Sequence, residues 1–215
     1  NYNYPQQPII FTKDIIISDT VSGSNLEGAK ILVVDDEPIN LQILISQLTK
    51  EKYLVKHLSS GEEAISVIES DETFDLVLLD VMMPVVSGFE VCRKIREKYS
   101  AHELPVVLLT AKNTREDILA GINLGANDYI TKPFDRDELL ARAKNYISLK
   151  KAVEEQKKYI AVKQELEIAR NIQLSILPGK LPVMNGISVK AKYEPMTEVG
   201  GDFYDYLAFD DSDAV

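Results

Sequence analysis

The sequence predicts an α/β protein: a doubly wound (βα)5 parallel sheet, then a long helix, then the opening of a truncated α+β segment. Three observations carry this. Apolar runs alternate with helix-like segments between Ala29 and about Leu149. Several of these runs end in residues able to do chemistry: Lys30–Val34 leads into Asp35-Asp36, Phe74–Leu79 into Asp80, Val106–Leu109 into Thr110, and Asp128–Thr131 into Lys132. No helix breaker then occurs between Asp135 and Pro178. Apolar runs of this kind are the strands of parallel sheets covered on both faces by crossover helices.

The elements follow in order. Residues 1–28 are a polar extension containing Ser, Asn, Pro and a few isoleucines, which fits an added edge strand or a segment laid across another surface. Five strands are predicted, the second at Tyr53–Leu58. The helices are Pro38–Glu51, Gly61–Glu69, Gly88–Tyr99, Arg115–Asn123 and one starting near Asp135. Pro38 suits a first helical turn. Ser60 with Glu63, Ser87 with Glu90 and Asp135 with Glu138 are spaced as N-caps and their third helical residues. Cys92, on a stripe with Phe89 and Ile95, belongs to the core, and neither His57 nor His102 has a predicted chemical role.

In the long helix, Tyr146, Leu149, Val153 and Ile160 keep spacings of three, four and seven. Leu166, Ala169, Gln173 and Ile176 resume the pattern shifted by about one residue. The Lys150-Lys151, Glu154-Glu155 and Lys157-Lys158 pairs read as solvated faces between these stripes. This pattern predicts a linker, residues 150–177, that pairs with a second helix as a dimeric coiled coil. Beyond Pro178, residues 187–193 alternate like a strand.

Composition narrows the field. A net charge of −10 argues against a broad nucleic-acid surface. The single cysteine excludes an internal disulfide and points to a cytoplasmic setting. No apolar run approaches the length of a membrane span, and the first residues lack a signal peptide's basic start. The chain starts at Asn1 and stops at Val215 in mid-pattern, which reads as a fragment.

In an open parallel sheet the C-terminal strand ends share one edge, so Asp35, Asp36, Asp80, Thr110 and Lys132 are predicted to converge. Crowded carboxylates repel unless a cation joins them, so the pattern suggests a divalent metal beside a reactive aspartate. In their order and spacing, Val33-Val34-Asp35-Asp36, Asp80–Pro84 with Gly88, Thr110-Ala111 and Tyr129–Phe134 resemble the receiver domain of bacterial two-component response regulators, over residues 29–149. The resemblance implies strand order 2-1-3-4-5, with Asp80 as phosphoacceptor. Asp35, Asp36, Asp80 and the Met82 main-chain carbonyl would hold Mg2+. Thr110 and Lys132 would face the phosphoryl oxygens, and Tyr129 would act as a conformational switch. It further implies a tight turn at Gly88, a cis peptide before Pro133, and a sensor histidine kinase as partner.

The output lies at the C-terminal end. Ala169–Pro178, Tyr193-Glu194-Pro195 and Glu198–Asp205 resemble the start of PP2C-type, SpoIIE/RsbU-like serine phosphatases, so residues 178–215 would be the beginning of that domain. The resemblance implies that Asp202 helps to hold a Mn2+ or Mg2+ pair acting on a phosphoserine protein such as an anti-sigma-factor antagonist. The next metal-binding acid would lie beyond Val215, so this fragment is expected to lack phosphatase activity. Two alternatives stand beside this. One is a diguanylate cyclase, since Gly200-Gly201-Asp202-Phe203 approximates the cyclase signature but lacks its Glu. The other is a receiver acting through protein contacts alone.

Overall fold

The computed structural model describes residues 26–111, 119, 121–179, 190–193, 199–200 and 204–205. Five strands form one parallel sheet in the order β2-β1-β3-β4-β5. They are β1 (Lys30–Val34), β2 (Leu54–Leu58), β3 (Leu76–Asp80), β4 (Val106–Thr110) and β5 (Asp128–Thr131). Helices α1 (Pro38–Lys50), α2 (Gly61–Glu69) and α3 (Gly88–Lys98) fill the first three crossovers, and a long helix, Arg136–Ile176, follows β5. Of the helix expected at Arg115–Asn123, residues 121–123 are helical and most of the remainder lies outside the described residues.

Alternate residues of each central strand feed opposite faces of the sheet. Ile31, Val33, Leu76, Leu78, Val107, Leu109 and Ile130 pack against α1 and the start of the long helix. Leu32, Val34, Val77, Leu79, Val106 and Leu108 pack against α2 and α3, where Cys92 is fully buried. The central strands are therefore apolar on both faces until their C-terminal ends, where β3 and β4 finish in Asp80 and Thr110.

The three predicted caps are present. The Ser60 hydroxyl accepts the Glu63 N–H at 3.2 Å, and Ser87 and Glu90 bond reciprocally as a capping box. Asp135 Oδ1 accepts the N–H groups of Asp137 and Glu138 at 2.8 and 3.2 Å. The Lys132–Pro133 peptide is cis. At Gly88 the reason for glycine differs from the expected turn. A Cβ there would stand 2.1 Å from the Asp80 carbonyl oxygen, so glycine permits α3 to start directly against the end of β3.

The long helix corrects one sequence-based expectation. Lys150 does not lie on a solvated face. It is buried in line with Leu139, Ala143 and Ile147, and its ammonium donates to the Phe74 carbonyl at 2.6 Å and to Asp75 Oδ1 at 3.1 Å. The carbonyl before β3 needs a donor, and the flexible lysine stem reaches it. Further along, Lys157 bonds Glu103 at 3.2 Å. Among the described residues no helix is long and apolar enough to cross a membrane. Where residues 187–193 are described, at 190–193, they adopt no strand. Near the helix end, the Gln173 amide bonds the backbone of Gly200, accepting its N–H at 3.0 Å and donating to its carbonyl.

Candidate phosphoryl and metal site

Asp35, Asp36, Asp80, Thr110 and Lys132 gather at the C-terminal strand ends because the parallel register puts them there, whereas Tyr129 lies within β5. β1 delivers Asp35 and Asp36, β3 delivers Asp80, β4 delivers Thr110, and β5 leads into Lys132. Lys132 N–H donates to the Thr110 carbonyl at 2.7 Å, tying the last two ends together. One carboxylate oxygen from each of Asp35, Asp36 and Asp80 lies within 4.8 Å of the others. Asp35 and Asp80 are buried, and Asp36 is more open to solvent.

Lys132 bridges the two buried acids, with Nζ 2.7 Å from Asp35 Oδ2 and 2.9 Å from Asp80 Oδ1. Burial alone would lower its pKa, but the bonds to Asp35 and Asp80 outweigh burial and hold it above the ordinary lysine value. Asp80 is shifted upward by burial, reinforced by the Asp35 charge and opposed by Lys132 and a backbone bond from Met82. Two buried carboxylates against one ammonium leave excess negative charge, and the open Asp36 adds more. The donor set is all oxygen, which suits a small hard cation.

The site opens into a cavity of about 390 Å³ lined by Asp36, Glu37, Pro38, Asp80, Met82, Ala111 and Lys132. Val85, in the loop after Asp80, is 85% exposed and holds a φ of 66°. That left-handed conformation costs a β-branched residue roughly 1–2 kcal/mol. Thr110 is buried and shares a cavity of about 10 Å³ with Tyr129, Val81, Phe89 and Leu108, on the side of the sheet covered by α3. Asp202 lies outside the described residues.

Asn40 carried no weight in the sequence and belongs to the site. Its amide donates to both Asp35 oxygens, at 3.1 and 3.3 Å, and to Glu37 Oε2 at 3.1 Å. The available signal was positional: Asn40 is the third residue of a helix whose cap follows the two aspartates, and a side chain there reaches back toward the cap.

An open parallel sheet with an acid cluster and a lysine at its C-terminal edge defines an α/β domain built to hold a cation and an anionic group together. The response regulator receiver domain family matches residues 31–144, and the chain belongs to it. Among solved structures it is similar to the BeF3-activated DrrB receiver domain, with 40% identity over 56% of this chain and 98% of that one, TM-score 0.52. It is similar also to the receiver domain of a sensor histidine kinase from Pseudomonas aeruginosa, solved with magnesium in its active-site cleft. That match has 31% identity over 56% of this chain and 98% of that one, TM-score 0.52. A putative response regulator/GGDEF domain protein shares 29% identity over 57% of this chain and 50% of that one, TM-score 0.54.

Proposed function

We propose that Asp80 is the phosphoacceptor of this receiver and that phosphorylation there controls an output attached through the long helix. The observation carrying the first part is the convergence of Asp35, Asp36 and Asp80 around one point, with Lys132 spanning two of them. An Asp80 carboxylate oxygen attacks phosphorus, and the bond to the donor's histidine nitrogen or acyl oxygen breaks. This transfer is mainly positioning and charge neutralisation. Lys132 is already within reach to pair with a phosphoryl oxygen, and the Thr110 hydroxyl donates to another. Asp35, Asp36, Asp80 and the Met82 carbonyl would hold Mg2+, which supplies charge neutralisation to the transferring group when bound. Magnesium in the similar Pseudomonas receiver supports this ligand chemistry. Tyr129, beside Thr110 at a small cavity, is suited to follow any movement of that threonine, giving two states that phosphorylation biases. The phosphodonor would be a sensor histidine kinase.

The domain division we favour is an extension at 1–28, the receiver at 29–149, a linker at 150–177 and a phosphatase opening at 178–215. Tyr159, Ile160, Val162, Leu166, Ile168 and Ile172 of the linker are exposed. Their exposure supports a homodimer through this helix. The output we favour is a PP2C-type serine phosphatase using Asp202 and Mn2+ or Mg2+, supported by the Ala169–Pro178 and Glu198–Asp205 motifs. The GGDEF protein similar over the receiver keeps a diguanylate cyclase as the second reading, against which stands the missing Glu in Gly200-Gly201-Asp202-Phe203.

Mass spectrometry after acetyl phosphate and Mg2+ tests the site. Wild type gains one phosphoryl group and Asp80→Asn gains none, whereas equal labelling would remove Asp80 from the role. Sedimentation with and without beryllofluoride tests the linker, and a monomer in both conditions would dispose of dimer signalling.

A further inference from the structure

We propose that Asn40 is a positioning residue of the acidic site: it holds the buried Asp35 carboxylate in place when Lys132 turns to the phosphoryl group. The inference rests on the phosphoacceptor reading above. Asp35 is fully buried, so water cannot stand in for a missing donor. Its carboxylate is held by the Glu37 N–H at 3.0 Å, by Lys132 Nζ at 2.7 Å, and by the Asn40 amide at 3.1 and 3.3 Å. Lys132 is shared with Asp80, and pairing with a phosphoryl group draws the ammonium away from Asp35. Among protein donors Asp35 then keeps only the Glu37 N–H and Asn40, and those two must fix the orientation in which it would face a bound cation.

Asn40 does a second thing with its other N–H. It bonds Glu37 Oε2 at 3.1 Å, fixing this fourth carboxylate at the rim of the cavity that Glu37 helps to line. Without Asn40, Glu37 would swing freely beside Asp36 and Asp80 and add a competing acid to a cluster whose geometry matters. One neutral amide therefore orients an inner acid and restrains an outer one. Aspartate at this position would add a negative charge where donors are required. Outer partners that orient the ligands of a metal typically change affinity by about 10–100-fold when removed.

The test uses the 215-residue chain, with Mg2+ affinity read by titration calorimetry and acetyl-phosphate labelling at limiting and saturating Mg2+. Asn40→Ala should weaken Mg2+ binding about tenfold, at the low end of that range. Asn40→Asp should weaken it further, and Asn40→Gln should recover part of the loss. Labelling should slow at limiting Mg2+ and return toward wild type at saturation, a split that general destabilisation would not produce. If Asn40→Ala fails to fold by circular dichroism, Asn40→Ser and Asn40→Gln carry the comparison. A folded variant that binds Mg2+ and labels like wild type at limiting metal overturns the role of Asn40 alone. A wild-type chain that binds no Mg2+ overturns the site itself and this inference with it.

Discussion

The long helix behaves as two different objects joined end to end. Over its first turns Leu139, Ala143, Ile147 and Lys150 are buried against the sheet, whereas from Glu154 onward nearly every described residue is exposed. The backbone is continuous, so helix propensity cannot account for the difference. What changes is the partner. The first part covers the apolar sheet face that also carries α1, and its stability derives from that burial. The second part presents Ile160, Val162, Leu166, Ile168 and Ile172 to solvent, which is stable only for a helix that meets another surface or is sustained by its own side-chain pairs. The helix is thus structural where it closes the receiver and uncovered where it leaves. Between the two regimes the contacts become ionic, through Lys150 and then Lys157.

The largest test of that division is a pair of matched truncations. Ile147 is fully buried, and Ile147→Ala should destabilise the chain by about 2–4 kcal/mol, from lost burial and the cavity left behind. Ile168 is 60% exposed, and Ile168→Ala should shift stability by less than about 0.5 kcal/mol at concentrations where the chain is monomeric. Urea unfolding of the two variants decides it. Comparable losses would mean that the distal helix is covered in the monomer and that its two parts do not differ in partner.

The sequence disclosed these two regions unequally. Strand ends carrying Asp35, Asp36, Asp80, Thr110 and Lys132 were legible because parallel sheets expose one edge, and apolar runs ending in polar residues mark it. The caps at Ser60, Ser87 and Asp135 were legible because they depend on neighbours three residues away. Lys150 was not, since a lysine beside Lys151 looks solvated, and nothing local reveals that a carbonyl 76 positions earlier needs its ammonium. Asn40 was hidden for a similar reason, being recognisable only once Asp35 is known to be buried. The role of Gly88 depends on how closely α3 approaches the Asp80 carbonyl, a distance that exists only after folding. Polar contacts at the sheet edge were legible because topology gathers them there, while those of Lys150 and Asn40 depend on burial that no local pattern announces.

A smaller effect is expected where the two regimes meet. Lys150→Met keeps most of the apolar stem but leaves the Phe74 carbonyl and Asp75 without the ammonium, which also lies 3.6 Å from Glu154. The buried Phe74 carbonyl is the acceptor left stranded, at a cost of about 1–3 kcal/mol, whereas Asp75 is partly exposed and keeps the Lys30 N–H. Hydrogen exchange should show faster opening of the helix just beyond residue 150, with protection around Ile147 changed less. A variant as stable as wild type, with unaltered exchange beyond 150, would make the buried lysine incidental to how the helix leaves the sheet.

The smallest effect belongs to the outermost contact, and its pH dependence has a definite sign. Glu103 is exposed, yet hydrogen bonds from the Ser100 hydroxyl and N–H, together with Lys157, hold its pKa down from 4.5 to about 2. A depressed acid stabilises the fold above its unfolded pKa and loses that contribution as pH falls through the folded value. Lys157→Ala removes the part of this that crosses from the long helix to the domain, where Nζ stands 3.2 Å from Glu103. The difference in urea midpoint between wild type and Lys157→Ala should therefore be full above about pH 4.5 and shrink as pH is lowered toward 2. Added salt at neutral pH should shrink it too, because both partners face water. A difference independent of pH and salt would point to lost packing by the lysine stem, and the ionic brace would then end at Lys150.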